Sequence, residues 1–264
     1  MIVAWSRSVQ PFNVTRFVVA LVAISFASAG CDTLTCYLDR DIDAVMHRTK
    51  HRPIPSGRIK EKRALTWGLV LSTIGLILAL SINLLSFVWI GLGVLDNVVV
   101  YSFLLKRRTP TNIILGGVSG GLPALFGWSA VTNGVALLPI LLAALVVLWI
   151  PGHIWSLAIF TRKDYARAHV PMLPVVTKLK TALRCTVSTV VLMIPFSIWI
   201  FFEGNFGLIY LAVALIFGFA ILYVNLLLFL HPNEKMAYSA FKISSPYLFA
   251  LFLAMIIDRL WRMI

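Results

Sequence analysis

The chain has 264 residues, of which 60% are hydrophobic and only 12% charged, against about a quarter charged in an ordinary soluble domain. With a mean hydropathy of +0.92, the apolar excess is more than one soluble core can bury, which excludes a soluble globular protein and calls for a lipid solvent. Lys and Arg number 23 against 10 Asp and Glu, a formal net charge of +13; on a solvated face that balance would suggest nucleic acid, so the placement of the charges decides.

The first 15 residues, MIVAWSRSVQPFNVT, lack a long apolar core and a small-residue cleavage site, and read as a short tail rather than a cleaved signal. A membrane-crossing helix needs about 20 mostly apolar residues. Runs of that kind predict eight spans, over 17–37, 64–82, 87–105, 112–131, 136–160, 182–202, 206–230 and 243–258. The intervening segments alternate. Those over 39–63, 106–111, 161–181 and 231–242 are long and basic, while those over 83–86, 132–135 and 203–205 are short and hold no Lys or Arg. Nineteen of the 23 basic residues, Arg184 among them, belong to the long set. The positive-inside rule puts those loops in the cytoplasm and, with eight spans, both termini outside. The expected fold is therefore an all-α polytopic membrane helical bundle of about eight helices forming one domain over 1–264, and the charge is a topology signal rather than a nucleic-acid one. Cys31, Cys36 and Cys185 have no metal-ligand spacing and read as apolar packing residues.

The chemistry-bearing residues follow the first span, in TCYLDRDIDAVMHRTKHRPIPSGR. Asp39 and Asp43 are four apart and share a helical face with Thr35, whereas Asp41 points elsewhere. Clustered carboxylates repel unless a cation bridges them, and Mg²⁺ commonly uses one or two carboxylates plus substrate phosphates. Arg48 and Arg52, also four apart if the helix continues, offer the planar donors a phosphate needs. A loop whose acids and bases merely pair with one another is the competing reading. A second cluster after the fifth span, FTRKDYARAHVP, brings Lys163, Asp164 and Tyr165 to the same side. Lys106, Arg107 and Arg108 end the third span there too, as topology anchors or as phosphate ligands. His153, inside the fifth span, is a packing residue or a ligand for a metal or heme iron. Gly116, Gly117, Gly120 and Gly121 form small-xxx-small patterns for close helix approach. Asp96 and Asp32, costly at membrane depth, are expected to face the interior.

With these residues in view the sequence resembles the UbiA-type intramembrane prenyltransferases and, within them, the branch of heme O synthases (protoheme IX farnesyltransferases). The stretches that carry the resemblance are YLDRDIDAVMHRTKHRPIPSGRI, YSFLLKRRTPTNIILGGVSGGLPALFGWSAVTN, WIPGHIWSLAIFTRKDYARAHVPMLPVV and, more weakly, ISSPYLFALFLAMIID, most of the chain from about residue 17. The single acid of KDYARAHVPMLP is the feature that points to the heme branch. Two departures accompany the match: Thr35 stands where the family's first motif has Asn, and eight spans against the family's nine imply that the chain begins at the second family helix. The resemblance implies Mg²⁺ held by Asp39, Asp43 and Asp164, and a prenyl diphosphate gripped by Arg48, Arg52, Lys163, Lys106 and Arg107. Thr35, Asp41 and Tyr165 would support the site, and His153 would contact the acceptor. It further implies protoheme IX as the second substrate, alkylated at its vinyl group to a hydroxyethylfarnesyl heme, with heme A synthase or a terminal oxidase as partner. The expected location is the plasma membrane of a prokaryote, with the site on the cytoplasmic side among membrane lipids. Other readings are a prenyltransferase for a quinone precursor or lipid, a transporter with Asp32 and Asp96 on its path, and a non-catalytic heme-binding or oxidase-assembly protein.

Overall fold

A computed structural model describes residues 1–8 and 11–262. Its elements are α1 (Ile2–Trp5), α2 (Val14–Leu38), α3 (Arg40–Val45), α4 (Glu61–Ile82), α5 (Leu84–Leu105), α6 (Asn112–Leu115), α7 (Val118–Thr132), α8 (Leu137–Phe160), α9 (Arg162–Arg167), α10 (Leu173–Val176), α11 (Leu179–Glu203), α12 (Leu208–Leu230) and α13 (Glu234–Trp261). Among the described residues eight segments, α2, α4, α5, α6 with α7, α8, α11, α12 and α13, are long and apolar enough to cross a membrane. Large apolar side chains such as Trp67, Ile77, Leu208 and Phe249 stay exposed on their outer faces, as a multi-pass membrane protein requires.

The bundle has two halves. In one, α2 lies against α4, α4 against α5 and α5 against α7; in the other, α8, α11, α12 and α13 pack together, and α7 against α8 joins the two. The α2–α4 contact is made backbone to backbone. A Cβ on Gly30 would stand 2.5 Å from Ser72 N, and one on Gly75 would stand 2.6 Å from Ala27 N. Close approach of small residues is the means by which helices associate where lipid removes the hydrophobic drive. The glycine pattern expected at the start of α7 does the same toward α8, since a Cβ on Gly121 would meet the Ala143 carbonyl oxygen at 2.6 Å. The other half is held by an apolar cluster around Leu145, Met193, Leu251 and Met255, threaded by one polar seam in which the Tyr210 hydroxyl donates to Ser197 O at 3.0 Å and Ser197 Oγ and Tyr247 Oη lie 2.8 Å apart.

Three features differ from the expected layout. The first residues, expected only as a short tail, form the docked turn α1: Ala4 and Trp5 are buried against Val131, and the Trp5 ring meets Phe12 and Phe17 at 4.6 and 5.9 Å. The last span begins at Glu234, not 243, because Asn233 caps it by accepting from Met236 N at 2.8 Å and Ala237 and Ala240 bury one face of the polar extension. Within α5 the helix widens over Leu95–Leu105 into a π-helix, with Lys106 N bonding Tyr101 O at 2.8 Å. Such widening rotates the side chains of the last turns relative to a 3.6-residue repeat and recurs at functional sites.

Candidate functional site at the charged mouth

Helix α2 ends at Leu38, with Asp39 as the residue between it and α3. Because Asp43 N still bonds Asp39 O at 2.8 Å, the two carboxylates remain on one side, as their spacing implies. Both are buried, at 1% and 3% exposure, and each meets a cation. Lys106 Nζ, brought in by the π-turns of α5, donates to Asp39 Oδ2, and Arg52 Nη1 donates to Asp43 Oδ2 at 2.8 Å. The helix does not continue to Arg48 and Arg52; α3 stops at Val45 and a chain of turns carries both. Thr49 Oγ1 donates to Asp43 O at 3.2 Å and fixes the start of that loop. Burial pushes the Asp39 carboxyl above its ordinary value against the pull of Lys106. Asp39 Oδ1 is buried with no hydrogen-bond partner, a costly arrangement that points to a ligand on that oxygen.

Asp41 faces outward and is clasped by Arg107 through two bonds of 2.6 Å, with Arg107 Nη2 also donating to Leu38 O at 2.8 Å. That clasp holds the Asp41 carboxyl down to about 2. Asp164, in α9, does not join Asp39 and Asp43: among the described residues no three His, Cys, Asp or Glu side chains converge as a metal cluster. Its Oδ2 accepts from Arg48 N at 3.3 Å and its Oδ1 from Arg167. Burial alone would raise this carboxyl, but the Arg48 N–H and Arg167 together hold it below the usual range. Asp164 therefore ties the second cluster to the loop that carries Arg48 and Arg52. Tyr165 is buried beneath it among Ile42, Met46, Ile113 and Trp155. Lys163 is turned away, 90% exposed and 3.8 Å from Glu234, because α9 presents Asp164 and Tyr165 inward and its neighbour outward.

Below the carboxylates the α2 face leads inward. The Thr35 hydroxyl donates to Asn97 Oδ1 at 2.9 Å, and Ser102 Oγ donates to Asn97 O at 3.0 Å and to Thr35 Oγ1 at 3.4 Å. Asn97, which the motifs did not single out, lines a chamber of about 220 Å³ with Ser28, Cys31, Asp32 and Ser119. Asp96 beside it is occupied, accepting from Ser119 N at 2.8 Å. Ile24, Gly120, Pro123 and Phe126 also line a second, apolar cavity of about 460 Å³ that runs on between α2, α7, α8 and α13. His153 lies elsewhere. Its ring is stacked between Trp149 and Phe241, both at 4.4 Å, and its Nδ1 is hydrogen-bonded to Ser244 Oγ, so it fastens α8 to α13.

The arrangement is thus a charged, partly desolvated mouth above a chamber that carries Ser28, Asp32, Asn97 and Ser119 and a larger apolar cavity. That set of surfaces suits a ligand with a multiply charged head and a hydrocarbon tail. The model of the UbiA prenyltransferase family matches residues 1–256. Over 250 residues the chain is 54% identical to a protoheme IX farnesyltransferase of Desulforudis audaxviator, covering 94% of this chain and 79% of that one. It is 42% identical to the protoheme IX farnesyltransferase of Thermoplasma volcanium, over 93% of this chain and 85% of that one. Among solved structures, a digeranylgeranylglyceryl phosphate synthase superimposes with a TM-score of 0.80 at 23% identity, covering 98% of this chain and 90% of that one. A UbiA homologue from Archaeoglobus fulgidus bound to DMAPP and Mg²⁺ gives 0.68 at 14% identity, covering 96% and 92%.

Proposed function

The chain belongs to the UbiA prenyltransferase family, and from that premise we propose that it transfers a farnesyl or longer prenyl group from its diphosphate to the vinyl group of protoheme IX, in line with relatives named protoheme IX farnesyltransferase. What carries the reaction type is the buried Asp39–Asp43 pair with its own cations, together with two adjoining cavities that share Ile24, Gly120, Pro123 and Phe126. The identity to protoheme IX farnesyltransferases over nearly the whole chain supports the acceptor.

The residues fit Mg²⁺. Asp39 has a buried oxygen without a partner, and two carboxylates suffice where substrate phosphates complete the shell. Asp39 and Asp43 would hold the ion, which when bound neutralises the leaving diphosphate. Lys106 and Arg52 lie against those carboxylates and are placed to donate to diphosphate oxygens, with Arg48 on the adjoining loop and Arg107 at the rim, and thereby stabilise the charge that develops as the allylic C–O bond breaks. Asp164 acts on the same centre through the Arg48 backbone, which it holds. The 460 Å³ cavity takes the isoprenoid, and its apolar walls keep water from the tail. We assign the acceptor contact to His153, whose ring is held between Trp149 and Phe241. The basic loops support a cytoplasmic mouth in a prokaryotic plasma membrane, where heme A synthase or a terminal oxidase would take the product. Incubating the purified chain with protoheme, Mg²⁺ and a set of prenyl diphosphates and reading heme masses tests the reading. A prenylated, hydroxylated heme is expected, and protoheme recovered unchanged with every diphosphate overturns it.

A further inference from the structure

One charged group at membrane depth has no task in the mechanism above. Asp32 lies on the face of α2 that carries Thr35, Asp39 and Asp43, since steps of three, four and four residues keep all of them on one side. At 1.5 Å per residue it sits about 10 Å deeper than Asp39 along the helix. It is exposed, it lines the 220 Å³ chamber, and among the described residues it has no hydrogen bond or ion pair. Asp96 makes the contrast, because its carboxylate is spent on the Ser119 backbone. An unpartnered carboxylate at membrane depth is expensive and is kept where it acts. The chamber has room for water, at about 30 Å³ per molecule. Asn97 stands in the same wall with its carbonyl oxygen engaged by Thr35, which leaves its amide hydrogens as donors.

The proposed reaction needs a base on the tail side of the diphosphate, where the vinyl group meets the prenyl C1. When the allylic C–O bond breaks, its electron pair leaves with the diphosphate. The vinyl π pair then forms the C–C bond to the prenyl C1, and positive charge moves to the side-chain carbon attached to the porphyrin ring. A hydroxylated product requires a water oxygen to give its pair to that carbon and the water to lose one proton. The sequence is redox neutral and consumes only water. We propose that Asp32 is the general base of this hydration: its carboxylate holds the water, stabilises the adjacent cation and takes the proton as the C–O bond forms, then returns it to bulk water through the mouth. The assignment rests on the protoheme reading.

The test reads product masses from the full chain in lipid with protoheme, farnesyl diphosphate and Mg²⁺, run in ordinary and in ¹⁸O-labelled water. The wild-type chain should place the label in the hydroxyl. Asp32→Asn should still consume farnesyl diphosphate and prenylate heme, but hydroxylated product should fall about a hundredfold, the usual scale for losing a general base. A product lighter by one water, formed by proton loss from the cation, should replace it. Asp32→Glu should recover part of the hydroxylated product, and Asp32→Ser carries the same comparison in a smaller side chain. Asp32→Asn with the wild-type ratio of the two products, whether at full or reduced turnover, overturns the assignment. Wild-type chain that makes no prenylated heme overturns the acceptor reading instead, a failure seen before any substitution is made.

Discussion

Replacing Lys106 by Met keeps the aliphatic stem and removes the charge beside Asp39. Asp39 is 1% exposed and Lys106 13%, so the substitution strands a carboxylate that already has one unpartnered oxygen. Removing one member of a buried pair costs about 3–5 kcal/mol, because the remaining charge is left desolvated. At roughly 2–4 °C per kcal/mol for a chain of this size, the midpoint of thermal unfolding in detergent should fall by roughly 6–20 °C. Two controls tie the loss to the pair. Asp39→Asn combined with Lys106→Met removes both charges and should recover most of it, since a neutral pair has little desolvation to lose. Mg²⁺ at a hundred times its Kd adds about 2.7 kcal/mol to a folded state that binds it, so with Lys106 gone the ion should raise the midpoint more than it does in wild type. A Lys106→Met chain that melts with wild type, or a double variant no more stable than the single one, refutes the account of the mouth as a buried ion pair.

Asp39→Ala and Asp43→Ala should each abolish prenyl transfer at every Mg²⁺ concentration while the chain still elutes as folded protein, and retained turnover removes the residue from the metal site. His153→Ala takes a ring from between Trp149 and Phe241 and should cost about 2–4 kcal/mol of stability. It should also shift the absorption of bound heme, and an unchanged spectrum takes His153 out of the acceptor site. Asp41, held down to about 2 by Arg107, contributes stability that is present above the ordinary carboxylate value and lost as pH falls toward 2. With the two side chains 62% and 40% exposed, that contribution is below about 1 kcal/mol. The difference in unfolding midpoint between wild type and Asp41→Asn should fade on acidification, and a difference that grows contradicts the pairing.

The spans were legible because lipid exposure leaves a signal in composition alone, and apolar runs ended where α2, α8 and α12 end. The start of α13 was not, since hydropathy marks where a helix meets lipid and not where its hydrogen bonding begins. Residues 234–242 are helical through a capping Asn and buried alanines, in a stretch polar enough to read as loop. At the site, spacing was enough to put Asp39 and Asp43 on one face, because i,i+4 is a local relation. What spacing left open was tertiary: that Asp164 would bond the Arg48 backbone, that Lys163 would turn outward, and that Asn97 would reach Thr35. Asn97 and Lys106 depend on the widened turns of α5, and a period of 3.6 residues carries no sign of a π-helix chosen by packing. The costly intramembrane acids were visible, yet only the structure separated Asp96, which is satisfied, from Asp32, which is not.

The pairing at the mouth also bears on how a dianionic or trianionic head enters a membrane protein. The two buried carboxylates each have a cation of their own, Lys106 on Asp39 and Arg52 on Asp43, so the charges of the mouth are balanced among themselves rather than left exposed to a low dielectric. Under the proposed function, Asp39 and Asp43 would hold the metal and Lys106 and Arg52 the diphosphate, so that each charge would exchange one partner for another of the same sign. Asp164 and Thr49 hold the loop of Arg48 and Arg52 in reach throughout, because they bond backbone or backbone-adjacent groups that the exchange does not disturb. The Arg107–Asp41 clasp stays at the rim, where solvent makes it weak and replaceable. Strong, buried pairs are thus kept for the groups that must change partners, and the same α2 face continues past Thr35 to Asp32, a chamber-lining carboxylate that among the described residues has no hydrogen bond or ion pair to give up.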